Sequence, residues 1–375
     1  MQSNKLRLAI RATAAAAIFG VAGQAGAVNF TAGDYEMAVY GYARLNASYD
    51  IDENVSTSTQ SMNYSAINVG AAEDNEATGY FDADAVQSRI GVRATSPEGV
   101  MVNIEGDFRP GTIRLRHAYG SYNGVLAGQT WSNYTSFVGN TSTLDFDSLP
   151  GLAGYQSRVA QLRYTTGPLS IAAEDPKNSI DGAGTATKDG MPALTARIQD
   201  SAGGLSYAAA VLAQQVGYDT GTADDSSFGF GAFVAGKMAV TDMITIQGTL
   251  SYSDGANSYL YRSGADSAYV DANGDVETIS GYGGSVGAGI SLGNGRSINI
   301  GYGTVMVDLD DAVADSVGTI DGNTTESVSA VMANYQWTPV KNVMMGVEYK
   351  YGMRETQNGD DGDASSLAFA AQYNF

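Results

Sequence analysis

Arginine is the residue type whose spacing suggests chemistry in this sequence. Seven arginines fall between residues 89 and 163, a segment that contains no lysine. Arg89 and Arg93 alternate with Ile90 and Val92, and the same alternation surrounds Arg44, Arg114 and Arg116. A guanidinium about 8 Å from an anion lowers the energy of that anion by about 0.5 kcal/mol in water. One face of these segments could therefore attract anions, unless the arginines only neutralise nearby carboxylates such as Glu105 and Asp107.

Histidine and cysteine are nearly absent. The 375 residues contain no cysteine, which excludes disulfides, thiolate metal sites and cysteine nucleophiles. The single histidine, His117, shares the parity of Leu115 and Tyr119, so we expect it to point away from the arginine face. Histidine-dependent hydrolysis and zinc catalysis are therefore not expected, and the protein should not be an enzyme. The formal net charge of −20 argues against nucleic-acid binding.

One loop carries a candidate calcium site. Its oxygen-bearing side chains alternate: Asp271, Asn273, Asp275 and Glu277. Alternating oxygen ligands around a glycine suit Ca²⁺. Val276 stands where the usual calcium loop has a glycine after its third ligand, so a solvated turn is the alternative. We expect no other cofactor.

Residues 1–27 are typical of a cleaved signal peptide. A positive region with Lys5, Arg7 and Arg11 precedes an apolar run over 12–22, and residues 25–27 read Ala-Gly-Ala, a cleavage site. The run is too short for a spanning helix, which needs about 20 apolar residues. We therefore expect residues 1–27 to be removed on export and residues 28–375 to form the mature domain.

The rest of the chain has a hydrophobic period of two. Ile244, Ile246 and Leu250, for example, alternate with polar residues. The pattern predicts sixteen strands, over 36–50, 80–94, 99–108, 112–122, 124–130, 157–166, 168–174, 191–200, 204–214, 227–239, 243–253, 278–292, 296–307, 325–337, 342–353 and 366–375. Strands of about 10 residues, tilted by about 40°, cover the ~25 Å apolar band of an outer membrane.

Long and short connections alternate along these strands, as in a barrel with short periplasmic turns and long external loops. We therefore predict an all-β fold: a 16-stranded antiparallel transmembrane β-barrel, in contact with lipid and lipopolysaccharide in the outer membrane of a Gram-negative bacterium. A secreted β-sandwich or an adhesin would also show alternation, although it would need no even number of strands.

The charged parity of the arginine segments must face the lumen. An arginine on the lipid face near the midplane costs about 2–4 kcal/mol. Arg158 has the opposite parity to Arg163 and begins a strand, so we do not expect it in the lumen. The predicted pore-lining residues are Arg44, Arg89, Arg93, Arg109, Arg114, Arg116 and Arg163.

The connection 131–156, the third external loop, is unusually apolar, with Phe146 and Leu149 among its residues. Folding into the lumen would bury its side chains and narrow a channel that sixteen strands otherwise leave open. We expect it to form a constriction that faces the arginines. Its candidate residues are Trp131, Tyr134, Phe137, Asp145 and Asp147.

Negative charge concentrates in the long connections. The seven long connections contain 27 of the 40 acidic residues. They predict a solvated outer rim, which at physiological salt is largely screened from the constriction because the Debye length is about 8 Å. The acidic rim attracts cations, so a channel that prefers cations is the alternative to one that prefers anions.

The last predicted strand ends on an aromatic residue. Leu367, Phe369, Tyr373 and Phe375 share one face of it. A terminal aromatic on an alternating strand resembles the assembly signal of outer-membrane barrels. We therefore predict that Tyr373 and Phe375 form such a signal.

Several motifs, densest over residues 40–176, resemble those of the DcaP-like trimeric outer-membrane porins. They are Gly41-Tyr-Ala-Arg44-Leu-Asn, Arg89-Ile-Gly-Val-Arg93, Ile104-Glu-Gly-Asp107-Phe, Leu115-Arg116-His117-Ala-Tyr119-Gly and Leu126-Ala-Gly-Gln129-Thr-Trp131. Family members often carry an N-terminal coiled-coil stalk, whereas here only the segment 28–35 separates the predicted cleavage site from the first strand.

The resemblance implies a sixteen-stranded homotrimeric barrel with an inward third loop. It further implies passive diffusion of small hydrophilic solutes through an arginine-rich constriction that favours small anions such as dicarboxylates. The alternatives are a cation-preferring general porin and a surface or adhesion protein without a channel.

Overall fold

The structure, a computed structural model, describes residues 27–75 and 77–375. The predicted signal peptide lies outside these residues except for Ala27. In chain order the strands are β1 Val28–Ala32, β2 Tyr35–Asp50, β3 Tyr80–Asp84, β4 Arg89–Thr95, β5 Met101–Asp107, β6 Arg114–Tyr122, β7 Val125–Trp131, β8 Arg158–Thr166, β9 Leu169–Glu174, β10 Ile180–Asp181, β11 Ala193–Ala202, β12 Leu205–Asp219, β13 Asp224–Ala239, β14 Ile244–Asp254, β15 Ala268–Val270, β16 Val276–Thr278, β17 Ser280–Gly293, β18 Arg296–Val307, β19 Thr325–Trp337, β20 Val343–Thr356 and β21 Asp361–Asn374.

Eighteen of these strands form one sheet that closes on itself. β2 pairs antiparallel with β4 on one side and with β21 on the other, which seals the barrel. β4 pairs with the first half of β2 and β3 with the second half, so these two short strands together occupy one position in the wall. β1 pairs with the start of β2 on the same side as β21, so β1 and β21 also occupy one position. The wall therefore has sixteen positions, and the predicted sixteen-stranded antiparallel barrel is confirmed.

Burial alternates along the wall as the sequence pattern predicts. In β2, Arg44, Asn46 and Ser48 are buried, whereas Leu45 and Tyr49 are exposed. Lipid offers no hydrogen bonds, so the outward parity is apolar, and the polar parity turns to the lumen. In the part of the chain that the structure describes, helices play a minor part: a short α-helix, α1, spans Asp310–Asp315. No helix within the described residues is long and apolar enough to cross a membrane.

The wall is much shorter on one side than on the other. β5 to β9 contain 6 to 9 residues each. β12 to β14 and β17 to β21 contain 11 to 16. At ~3.3 Å per residue and a tilt of ~40°, seven residues rise only about 18 Å, which is less than the ~25 Å apolar band.

A hydrophobic core, here called the inner core, packs loops against the inner side of β18, β19 and β21. Four external loops contribute to it: 51–79, 132–157, 255–279 and 308–324. Its members include Val55, Met62, Tyr64 and Ile67 from the first loop, Leu149 and Leu152 from the second, Leu260 and Ile279 from the third, and Val305, Met332 and Ala364 from the wall. The lumen on this side is therefore filled with side chains.

A second, three-stranded sheet lies among the external loops. β10 pairs with β15, which pairs with β16. Asp181 in β10 accepts hydrogen bonds from the backbone of Thr319 and Ile320 and from the Ser316 hydroxyl. These contacts join three of the long acidic loops into one external layer.

Candidate functional site

The loop 132–157 between β7 and β8 contacts inward-facing side chains on the far wall. Asn334 in β19 donates from Nδ2 to the Ser142 carbonyl at 2.8 Å. Thr249 in β14 donates from its hydroxyl to the Gly151 carbonyl at 2.7 Å. The loop therefore crosses the lumen rather than extending into solvent.

The far wall is shaped to receive this loop. A Cβ added at Gly303 would lie 2.3 Å from the Pro150 carbonyl oxygen, and one added at Gly301 would lie 2.7 Å from the Leu149 side chain. Only glycine leaves room for so close an approach of backbone to wall. The glycines of β18 thus let the loop lie flat against the inner surface.

Carboxylates hold the tip of the loop. Glu348 in β20 accepts hydrogen bonds from the backbone N–H groups of Leu144 and Asp145, both at 2.8 Å. Asp145 in turn accepts from the N–H groups of Met62 and Ser148, and Lys350 Nζ lies 3.3 Å from its Oδ2. Asp145 is 3% exposed. It therefore anchors the loop, and Lys350 compensates its charge.

An arginine-lined cavity of about 480 Å³ lies between this loop and the short wall. Five arginines and one carboxylate line it: Arg89, Arg109, Arg114, Arg158, Arg262 and Asp147. Aromatic rings, those of Trp131, Phe137, Phe146 and Tyr261, form much of the remaining surface. The structure therefore brings together three of the seven predicted pore-lining arginines with three of the five predicted loop residues.

Arg109 and Asp147 make a bidentate ion pair across the cavity. Arg109 Nη1 lies 3.1 Å from Oδ1 of Asp147, and Nη2 lies 2.6 Å from Oδ2. Burial raises the pKa of the Asp147 carboxyl, but the positive charges of Arg262 and Arg109 outweigh it, and the pKa lies below the ordinary value of 3.8. Asp147 is therefore ionised and paired at neutral pH.

Arg114 and Arg116 form close ion pairs with Glu105 and Asp107, as the alternative interpretation predicted. Arg114 binds Asp107 through Nε and Nη2, at 2.9 and 2.7 Å. Arg116 binds Glu105 at 2.7 Å and Asp107 at 2.8 Å. Arg116 is 1% exposed. Contrary to the prediction, it therefore does not line the pore. Its Nη2 nonetheless has no hydrogen-bond partner among the described residues.

The expectation that His117 points away from the arginines is wrong. The β5–β6 ladder changes register between Glu105, which pairs with His117, and Gly106, which pairs with Leu115. Arg116 is the extra residue of this β-bulge, and a bulge interrupts the alternation on which the parity argument depends. His117 lies inside, with Nδ1 2.9 Å from the Thr130 hydroxyl and its ring against Trp131.

Three predicted arginines face inward but lie outside the cavity lining: Arg44, Arg93 and Arg163. Arg44 donates from Nη2 to the Leu144 carbonyl at 2.7 Å and so supports the loop tip. Arg93 lies 5.8 Å from the centre of the Tyr40 ring. Arg163 is buried in β8. Tyr134 is also buried, against Phe233, and supports the loop instead of lining the channel.

Sequence reasoning missed three inward arginines. Arg197 in β11 alternates with Ala196 and Ile198, so the parity rule could have found it; it donates to the Thr135 carbonyl. Arg158 lines the cavity although its parity is outward, because it stands where β8 begins. Arg262 belongs to a long loop, and no local pattern indicates its position.

The other predicted sites are simpler. Tyr373 and Phe375 point outward, and Phe375 exchanges two backbone hydrogen bonds of 3.0 Å with Gly41 at the barrel seam.

The calcium candidate forms a hairpin turn, in which the Asp271 carboxylate accepts from the N–H groups of Asn273 and Asp275. Across residues 27–75 and 77–375, no three His, Cys, Asp or Glu side chains are grouped to hold a metal ion.

Comparisons with known proteins agree with this architecture. Residues 26–375 match the model of the DcaP outer membrane protein family. No curated protein matches this chain.

Among solved structures, the outer-membrane channel DcaP of Acinetobacter baumannii is 28% identical, with a TM-score of 0.77, and the match covers 93% of this chain and 100% of that one. OmpT of Vibrio cholerae is 12% identical, with a TM-score of 0.56 over 92% and 99% of the two chains. An anion-selective porin from Comamonas acidovorans is 10% identical, with a TM-score of 0.55 over 91% and 100%. The last two likenesses concern the fold alone. With its family model matched over nearly the whole length, the chain belongs to the DcaP outer membrane protein family and is an outer-membrane porin.

Proposed function

We propose that this porin passes small hydrophilic solutes and favours small anions, such as dicarboxylates, at the arginine-lined cavity. The observation that carries the proposal is the composition of the lining, with five arginines against the single carboxylate of Asp147. A low-dielectric wall on both sides strengthens the attraction of these charges for an anion that enters.

The ion pairs do not cancel this positive charge. The cations of the network around the cavity are Arg89, Arg109, Arg114, Arg116, Arg158, Arg262 and Lys350. The carboxylates within 4.0 Å of them are Glu105, Asp107, Asp145 and Asp147. Seven cations face four anions, so the network keeps an excess of three positive charges.

The acidic loops oppose this preference only from a distance. Three of them form the external layer, and at physiological salt charges more than about 8 Å away are largely screened. We therefore expect a modest anion preference at ~0.15 M salt, which weakens or inverts at low salt, when the acidic layer repels incoming anions.

The reversal potential of single channels under a KCl gradient tests the proposal. The double change Arg89→Gln with Arg158→Gln should move the reversal potential toward cations. Lys188→Gln removes an exposed external charge and serves as the control. A cation-selective wild type whose reversal potential ignores the double change would show that the acidic layer is the filter instead.

We also propose that the protein is a homotrimer. The short strands β5 to β9 would leave part of the apolar band without wall, and a neighbouring protomer would cover that side. The solved OmpT of Vibrio cholerae includes a trimer form.

A further inference from the structure

Arg262 joins three external loops at the edge of the cavity. It lies in the loop 255–267, its Nη1 donates to the Ser148 carbonyl at 2.8 Å, and its Nη2 donates to the Met62 carbonyl. The guanidinium carbon also lies 4.3 Å from the centre of the Tyr64 ring. One planar group therefore holds the loops 51–79 and 132–157 to its own.

The preceding residue strengthens the same junction. Tyr261 donates from its hydroxyl to the Asp147 carbonyl at 2.7 Å, and its own carbonyl accepts from the Gly151 N–H at 3.0 Å. Together Tyr261 and Arg262 grip the backbone of the loop 132–157 at three positions: 147, 148 and 151.

The backbone at Arg262 is held in a costly conformation. Its φ is 66°, in the left-handed region that residues other than glycine avoid. Such a conformation persists only where the surroundings hold it, and it is concentrated at functional sites. The side chain is only 13% exposed, so the residue is enclosed by the three loops that it joins.

We propose that Arg262 is a positioning residue that sets the cross-section of the channel, an inference that rests on the proposed channel function. The three loops fill the lumen beside β18 to β21. At the edge of the cavity, the guanidinium holds them together through its hydrogen bonds to carbonyl oxygens of the other two loops. Without this junction the loops separate and the filled side of the lumen opens. Arg262 thereby determines how large a solute can pass, in addition to contributing its charge.

Arg262→Lys separates the two contributions. Lysine keeps the positive charge, but it lacks the rigid fork that reaches two carbonyl oxygens in different loops. We expect higher single-channel conductance and faster uptake of oligosaccharides into proteoliposomes, with a smaller change in reversal potential than Arg262→Gln causes. An effect of charge alone would leave Arg262→Lys like the wild type and shift the reversal potential only in Arg262→Gln.

Arg354→Lys is the matched control. Arg354 in β20 also donates to two carbonyl oxygens, those of Ser65 and Ile67, but both belong to the single loop 51–79. Arg354→Lys should leave the largest solute that can pass the same as in the wild type. An equal rise in conductance in this control would overturn the specific role of Arg262.

Thiol labelling tests the loop junction without relying on conductance. The chain has no cysteine, and Leu149 is 0% exposed beneath the junction. In Leu149→Cys we expect N-ethylmaleimide to react roughly ten- to hundredfold faster when Arg262→Lys is added, because charge-assisted hydrogen bonds that close the loops are lost. Equal labelling rates would overturn the inference. A wild type without conductance would refute the proposed function, while the labelling would still decide the role of Arg262.

Discussion

The guanidinium carbon of Arg158 lies 3.9 Å from the centre of the Trp131 ring. Trp131 is the last residue of β7 and Arg158 the first of β8, and their backbones are paired. This cation–π contact closes the base of the loop 132–157, and Phe137 packs edge-on against the same ring, with centroids 4.9 Å apart. Arg158, which lines the cavity, is thus held in place at the base of the loop by the Trp131 ring.

Arg158→Gln should lower the anion preference by about twofold, since a charge about 8 Å from a permeating ion contributes about 0.5 kcal/mol in water. The permeability ratio of chloride to potassium at ~0.15 M salt measures it. Lys188→Gln, at an exposed position that pairs with Asp219, should have little effect. Equal shifts in both variants would assign selectivity to total charge instead of position.

Asp147→Asn should raise the anion preference, because it leaves the charge of Arg109 uncompensated. The pKa of Asp147 lies below 3.8, so in the wild type the pair and its stabilisation are present above that pH and are lost as the pH falls through the folded pKa. The difference in reversal potential between wild type and variant should therefore stay constant from pH 7 to about pH 5 and shrink only at more acid pH. A difference that already vanishes at pH 5 would contradict the depressed pKa.

Phe375→Ser should reduce the amount of assembled, heat-modifiable barrel while the conductance of inserted channels stays the same. The ring points outward beside the seam, away from the cavity, and the two backbone bonds to Gly41 are kept. Phe369→Ser is the control, because it removes another outward aromatic ring from the same strand. If the two variants assemble equally well in cells, the terminal position has no special role.

Ile104→Arg should disperse the proposed trimer. Ile104 points outward from the short wall, in β5, where we expect a neighbouring protomer. Leu250→Arg places the same charge on the long wall, in β14, where it meets lipid and costs about 2–4 kcal/mol of barrel stability without affecting association. Native electrophoresis of the two purified variants distinguishes these outcomes, and a trimeric Ile104→Arg protein would place the interface elsewhere.

Sequence reasoning succeeded where the membrane imposes one constraint on every residue. Lipid requires apolar side chains on one face, so the period of two located all sixteen wall positions. It was less accurate at strand ends: β12 continues to Asp219 and β13 begins at Asp224, five and three residues beyond the predicted limits of 214 and 227, because the polar residues and glycines there do not alternate with apolar ones.

The candidate site was predicted only in part, for two physical reasons. A single extra residue, Arg116, turned His117 inward, and no local pattern indicates such a bulge. The junction at Arg262 joins positions 62, 148 and 262, which are far apart in the chain and meet only in the folded lumen. Periodicity carries no information about contacts of this kind.

The inner core has a consequence for the order of folding. It contains residues from Val55 to Ala364, and β21, which contributes Ala364, pairs with β2 to close the wall. The loops can pack against Ala364 only after β21 has joined the wall, and the entropy of ordering long loops slows that later step. We therefore expect the wall to close first and the loops to dock last, so that a newly inserted barrel is for a time a wide, unselective hole in the membrane.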